Sequence, residues 1–208
     1  MGLFTSYQDF AINTIEENLH IAKHCIDTTK KPNTNSCYGM PAFTLLTSVI
    51  DTIGSFYSKA NGTFKPILMD DVNNNKTGNA KDHFNAFYDK FIKNENNVIN
   101  IYSTSNKQKF FHDKFYLDGR CKATHNNVLG SNFIITIEEN CGNGACIWEE
   151  KDKNNNYITY VHLSKLHELV SKAFNKMKKE AGVSPQPEAT QATTGSTSQT
   201  VVTYQIKF

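Results

Sequence analysis

Apolar positions recur every three or four residues along several stretches of this chain, and along three shorter stretches the period changes. Between 4 and 28 the stripe is Phe4, Tyr7, Ala11, Ile15, Leu19, Ala22 and Ile26, the spacing of an amphipathic helix. Thr28 to Pro32 ends it, and 33–36 reads as loop. Pro41 suits the first turn of a second helix that runs to Tyr57. Its stripe is broad: Ala42, Leu45, Leu46, Val49, Ile50, Ile53, Phe56 and Tyr57. The other side is Thr44, Thr47, Ser48, Asp51 and Ser55, small and nearly uncharged. A solvated face would carry longer charged side chains, so this pattern predicts a central helix with neighbours on both sides. Asp51 is then one charge in a crowded place, and a buried carboxylate needs a cation or several hydrogen bonds.

Further along, 60–80 is rich in turn residues and reads as a long loop. Ala80 to Lys93 carries Phe84, Phe87, Tyr88 and Phe91 at helical spacing, and 94–97 breaks it. Val98 to Tyr102 is short enough for helix or strand. Lys107 to Leu117 reads as helix, with Gly119 as its C-terminal cap and Arg120 just outside or opening a new turn. After Gly130, SNFIITIEE, ACIWEEK and YITYVHL are separated by the turns NCGNG and DKNNN. They predict a meander of three short antiparallel strands. Ser164 is placed to cap a last helix reaching Ala181. The expected fold is α+β, mainly a helical bundle with a small three-stranded antiparallel meander before the last long helix. One globular domain covers 1–182. The Pro, Thr, Ser, Gln and Gly of 183–200 are too polar to pack and predict a disordered linker. VVTYQIKF, 201–208, regains strand character and can add to a sheet edge or dock on a protein partner.

Composition narrows the classes. Aromatics at 12% supply a core for a domain of this length. A formal charge of +2 with a pI near 8.2 gives no global field that announces nucleic acid or membrane. No apolar run approaches the roughly 20 residues that span a bilayer, and the N-terminus lacks the regions of a signal peptide. The expected location is the cytoplasm, without membrane partners. MGLFTS fits the short myristoylation pattern, which is too loose to build on. Five cysteines at irregular spacing, without CxxC, predict reduced thiols. His20 and His24 have the i, i+4 spacing of a metal pair, but no HExxH and no third ligand accompany them, so no metal is expected. No phosphate-binding GxxxxGK[ST], GxGxxG or GxSxG occurs, and no cofactor is expected.

The chemistry gathers at 110–130. Of 22 Lys and Arg residues, only Arg120 is arginine. A guanidinium grips an oxyanion with two parallel N–H bonds, which an ammonium cannot do. Asp51 is a candidate structural partner for it, as is Asp118, and His125 follows five positions later. Arg120 to His125 fits R-x4-H and resembles the R-x4-6-H signature of the HEPN superfamily, small helical proteins that include many bacterial endoribonucleases and toxins. The resemblance rests on two fixed residues within about 120 residues of helical context, and Cys121 stands where the superfamily often has Asn, Asp or His. It implies metal-independent RNA cleavage, with His125 taking the 2′-hydroxyl proton and Arg120 holding the phosphate. It also implies a homodimer sharing one cleft, with Lys122, Asn126 and Asn127 able to hold phosphate or ribose, in a toxin or phage-defence setting. In one continuous α-helix a spacing of five separates two side chains by about 140°, so convergence needs a break or a second subunit. CYGMPAFTLLTSVIDTIGSFY and GRCKATHNNVLG also resemble a set of bacterial proteins of unassigned role. The competing reading is a non-catalytic interaction module, in which Arg120 pairs with Asp51 or Asp118 and pins helices together.

Overall fold

The computed structural model describes residues 7–28, 39–58, 79–126, 128–138 and 142–183. The loops expected at 33–36 and across most of 60–80, the linker beyond residue 183, the 201–208 peptide and the Gly2 pattern lie outside those residues. The first helix, α1, is Tyr7–Asp27 and the second, α2, is Gly39–Tyr57. The third, α3, is Ala80–Phe91, and Asn79 caps it by accepting from Asp82 N at 3.0 Å.

α2 is the hub. It packs against α1, α3 and the C-terminal helix, and Phe43, Leu46, Ile50, Ile53 and Phe56 are fully buried. Its small polar side satisfies itself. The hydroxyls of Thr47, Thr52 and Ser55 donate to carbonyls three or four residues back, at 3.0, 3.0 and 2.7 Å. This back-bonding needs no water, which is why that side tolerates neighbours. α3 approaches α2 so closely that a Cβ on Gly54 would lie 2.0 Å from the His83 carbonyl oxygen.

A second long helix is irregular. α4, Lys107–Phe110, runs without interruption into a π-helical segment, Phe111–Cys121, and then into α5, Lys122–Asn126. Gly119 is therefore not a terminal cap. It is buried inside the helix, where a Cβ would come 2.9 Å from the Phe133 ring and 3.0 Å from the Phe43 ring. The sequence shows a glycine after an apolar stripe, and close packing rather than a chain turn uses it. Phe111 and Phe115 stack with centroids 4.8 Å apart and tie this helix to the core.

The strands form a mixed four-stranded sheet instead of a three-stranded antiparallel meander. β1 is Ile99–Asn100, β2 is Phe133–Thr136, β3 is Ile147–Lys151 and β4 is Tyr157–His162, in the order β1-β3-β4-β2. β3 and β4 make the expected antiparallel hairpin. β2 instead pairs parallel to β4, and β1 parallel to β3. Alternation fixes which residues face the core but not which strand is the neighbour, so the expected meander order gives way to a mixed sheet. The row Ile99, Ile147, Val161 and Ile135 turns inward, while Trp148 and Tyr160 stack on the other face at 5.2 Å.

The last helix, α6, spans Leu163–Glu180 and buries Leu166, Val170, Ala173, Phe174 and Met177. Its cap is His162, whose Nδ1 accepts from Lys165 N at 3.4 Å, and not Ser164. Among the described residues no helix is long and apolar enough to cross a membrane.

Candidate functional site

Asp51, two-thirds of the way along α2, is the centre of a polar cluster that joins three helices. Arg120 Nη2 donates to Asp51 Oδ2 at 3.1 Å. His83 Nδ1 on α3 lies 2.7 Å from Asp51 Oδ1. The side chains are 22% exposed for Asp51, 17% for Arg120 and 14% for His83, so the cluster is mostly covered yet reaches the surface. An ionised carboxylate only accepts, so a hydrogen on His83 Nδ1 can donate to it, and in the neutral form of that ring Nε2 is the acceptor.

Local structure explains the convergence. Asp51 and Gly54 are three positions apart and share one side of α2. The contact between Gly54 and the His83 carbonyl therefore presses His83 onto Asp51. Arg120 lies in the last turn of the π-helical segment. Such wide turns are rare and recur at functional sites. The Arg120 guanidinium also lies over the Tyr116 ring, 5.9 Å from its centroid. Burial and the hydrogen bond with Cys121 push the Tyr116 phenol up, while the Arg120 charge acts in the other direction. His112 stacks on Tyr116 at 5.4 Å and meets Asp113 Oδ1 at 2.8 Å.

The other residues singled out from the sequence lie along the same helix. Lys122 Nζ meets Asp118 Oδ1 at 2.7 Å, and Lys114 Nζ meets Asp118 Oδ2 at 3.2 Å. Burial alone would raise the Asp118 carboxyl, but the hydrogen bonds from these two ammonium groups hold it below its ordinary range. His125 is exposed in the last turn of α5. No break separates Arg120 from His125, since the helix runs on through Asn126. Asn127 lies outside the described residues. The structure thus brings Arg120 to Asp51 and Lys122 to Asp118.

His83 is the member that sequence reasoning missed. It flanks the Phe84, Phe87 and Tyr88 stripe and sits 32 positions from Asp51, so no local spacing joins them. The one usable signal was Asp51 itself, a carboxylate on an uncharged face and in need of donors.

What the cluster can do follows from its parts. It offers a guanidinium with one N–H engaged by Asp51 and its other donors without a protein partner among the described residues. Beside it stands an imidazole whose orientation a carboxylate fixes. That is an anion grip next to a proton acceptor. Among the described residues no group of three or more His, Cys, Asp or Glu side chains gathers that could hold a metal ion. Compared with known proteins, the chain matches no family model, no curated protein and no solved structure.

Proposed function

We propose that this chain binds RNA at the corner where the π-helical segment meets α5 and cleaves it without a metal ion, in the manner of HEPN-like ribonucleases. The observation that carries the reading is the only guanidinium of the chain, held in place by Asp51 with donors left over for an oxyanion. Preorganised donors of this kind stabilise the charge that develops on a phosphorane. With Arg120 and His125 on one unbroken helix, the reading pairs Arg120 of one copy with an imidazole brought by a second copy. Lys122 opens α5 at the same corner, and Lys122, Asn126 and Asn127 are the candidates for phosphate and ribose contacts. The setting is the cytoplasm, in a toxin or phage-defence system.

The test is cleavage of single-stranded RNA in EDTA by wild type, Arg120→Lys and His125→Ala. Arg120→Lys keeps the charge and loses the fork, and is expected to lower the rate about 10²–10³-fold, the usual effect of removing one oxyanion donor. A wild-type protein that leaves RNA intact refutes the reading.

A second reading is favoured by the depth of the Arg120–Asp51 pair: a non-catalytic module in which the pair fastens α2 to the irregular helix. On that reading Arg120→Lys lowers stability and RNA stays uncut.

A further inference from the structure

We infer that His83, oriented by Asp51, is the general base that works beside Arg120 within a single chain. The inference rests on the RNA-cleavage reading above and changes which imidazole serves it. The geometry is specific. His83 Nδ1 and Arg120 Nη2 contact the two oxygens of one carboxylate, at 2.7 and 3.1 Å. That places an imidazole and a guanidinium side by side without help from another subunit. His125 has no such neighbour among the described residues: it is exposed on the last turn of α5.

A carboxylate on Nδ1 fixes both the tautomer and the orientation of an imidazole and leaves Nε2 to take a proton. The positions are also rigid. His83 is pinned through its own backbone, because its carbonyl abuts Gly54 with no room for a Cβ. Arg120 is pinned by Asp51 and by the Tyr116 ring beneath it. Arg120 and His83 keep 17% and 14% of their side chains at the surface, so the cluster is not sealed inside the core.

The step balances as follows. His83 Nε2 takes the 2′-hydroxyl proton, and the 2′-oxygen forms a bond to phosphorus while the bond from phosphorus to the 5′-oxygen breaks. The leaving 5′-oxygen takes a proton from water, and the resulting hydroxide takes the proton back from His83. The products are a 2′,3′-cyclic phosphate and a 5′-hydroxyl. The free N–H groups of Arg120 hold the non-bridging oxygens throughout. Asp51 touches neither substrate nor reacting atom, and is a positioning residue for both partners.

The experiment measures cleavage of a fluorescently labelled single-stranded oligoribonucleotide of mixed sequence in EDTA, with end analysis of the products, for wild type, His83→Asn, Asp51→Asn and His125→Ala. Asparagine carries an N–H donor at the place of Nδ1, so His83→Asn keeps the link to Asp51 and removes the proton acceptor. Its kcat is expected to fall about 10²–10⁴-fold, the range for loss of a general base, with KM and melting temperature close to wild type. A role confined to structure would instead be rescued by asparagine. Asp51→Asn is expected to lower kcat as well, and the fall in His125→Ala to be far smaller than that in His83→Asn. If His83→Asn cuts at the wild-type rate while His125→Ala does not, the base is His125; the inference is overturned and the ribonuclease reading stands. If wild type yields no cyclic-phosphate ends, both fall.

Discussion

Gly54→Ala tests the contact on which the cluster is built. A Cβ at that position would lie 2.0 Å from the His83 carbonyl oxygen, 2.6 Å from its carbonyl carbon and 3.0 Å from its Cα. All three are backbone atoms, so no rotamer change relieves the clash and α3 must retreat. Ordinary contact begins at 3.4 Å, which leaves the two helices more than 1 Å too close. Overpacking of this kind costs about 1–3 kcal/mol, and a rigid backbone obstacle belongs at the upper end. Alanine returns about 0.5–1 kcal/mol relative to glycine inside a helix. The net expectation is a loss of about 2 kcal/mol, or about 4–8 °C in melting temperature for a chain of this size. Thermal unfolding followed by circular dichroism reads it directly. The retreat also draws His83 away from Asp51, since Asp51 sits one turn before Gly54, so RNA cleavage should fall together with stability. A melting temperature equal to or above wild type would mean that α2 and α3 do not meet at Gly54, and the account of how His83 reaches Asp51 would go with it.

Glu149 is 2% exposed and accepts from Tyr102 N, Ser103 N and Ser103 Oγ at 3.1, 2.9 and 2.8 Å. Glu149→Gln turns an amide N–H₂ toward donors and should cost about 1–3 kcal/mol, read as a lower urea midpoint with an unchanged slope. Burial holds His167 below the ordinary histidine range, and its Nε2 lies 3.1 Å from Leu19 O. The unfolded state then binds more protons below about pH 6.5, so stability should fall as pH drops through that value toward the folded pKa. His167→Gln should flatten this slope in urea titrations at pH 7.5 and 5.5, and an unchanged slope would remove His167 as its source. The Cys146 thiol is pushed by burial up to about 12, while Cys25 and Cys121 are partly exposed. Alkylation at pH 8 followed by peptide mapping should therefore leave Cys146 unmodified until the protein unfolds. Early modification of Cys146 would contradict its burial.

How much of this was legible depended on the range of the interaction. The helices α1, α2, α3 and α6 announce themselves through apolar spacing, because a helix buries one stripe wherever it packs. The β3–β4 hairpin is local too: its turn is stabilised by Asp152, whose carboxylate accepts from Asn154 N and Asn156 N at 2.8 Å each. Parallel pairing of β2 with β4 is not local, and a four-residue strand carries no mark of its neighbour. The same limit applies to the site. Arg120 stood out by residue type alone, and Asp51 by its uncharged surroundings. His83 and the continuity of the helix through Gly119 depend on packing between segments far apart in the chain. Glycine after an apolar stripe signals a helix end only when the chain turns there, and Gly119 is small because Phe43 and Phe133 lie against it.

The wide winding of 111–121 has a consequence for how Arg120 tolerates change around it. The bearing of that side chain is set by the pitch of every turn before it, as the reading of a dial is set by the thread of its screw. Tightening the winding would swing the guanidinium off the carboxylate while the helix axis stayed in place. Substitutions that favour a narrower coil, even on the outward side near Asp113 and Lys114, would therefore reach Asp51 as torsion and not as lost contact.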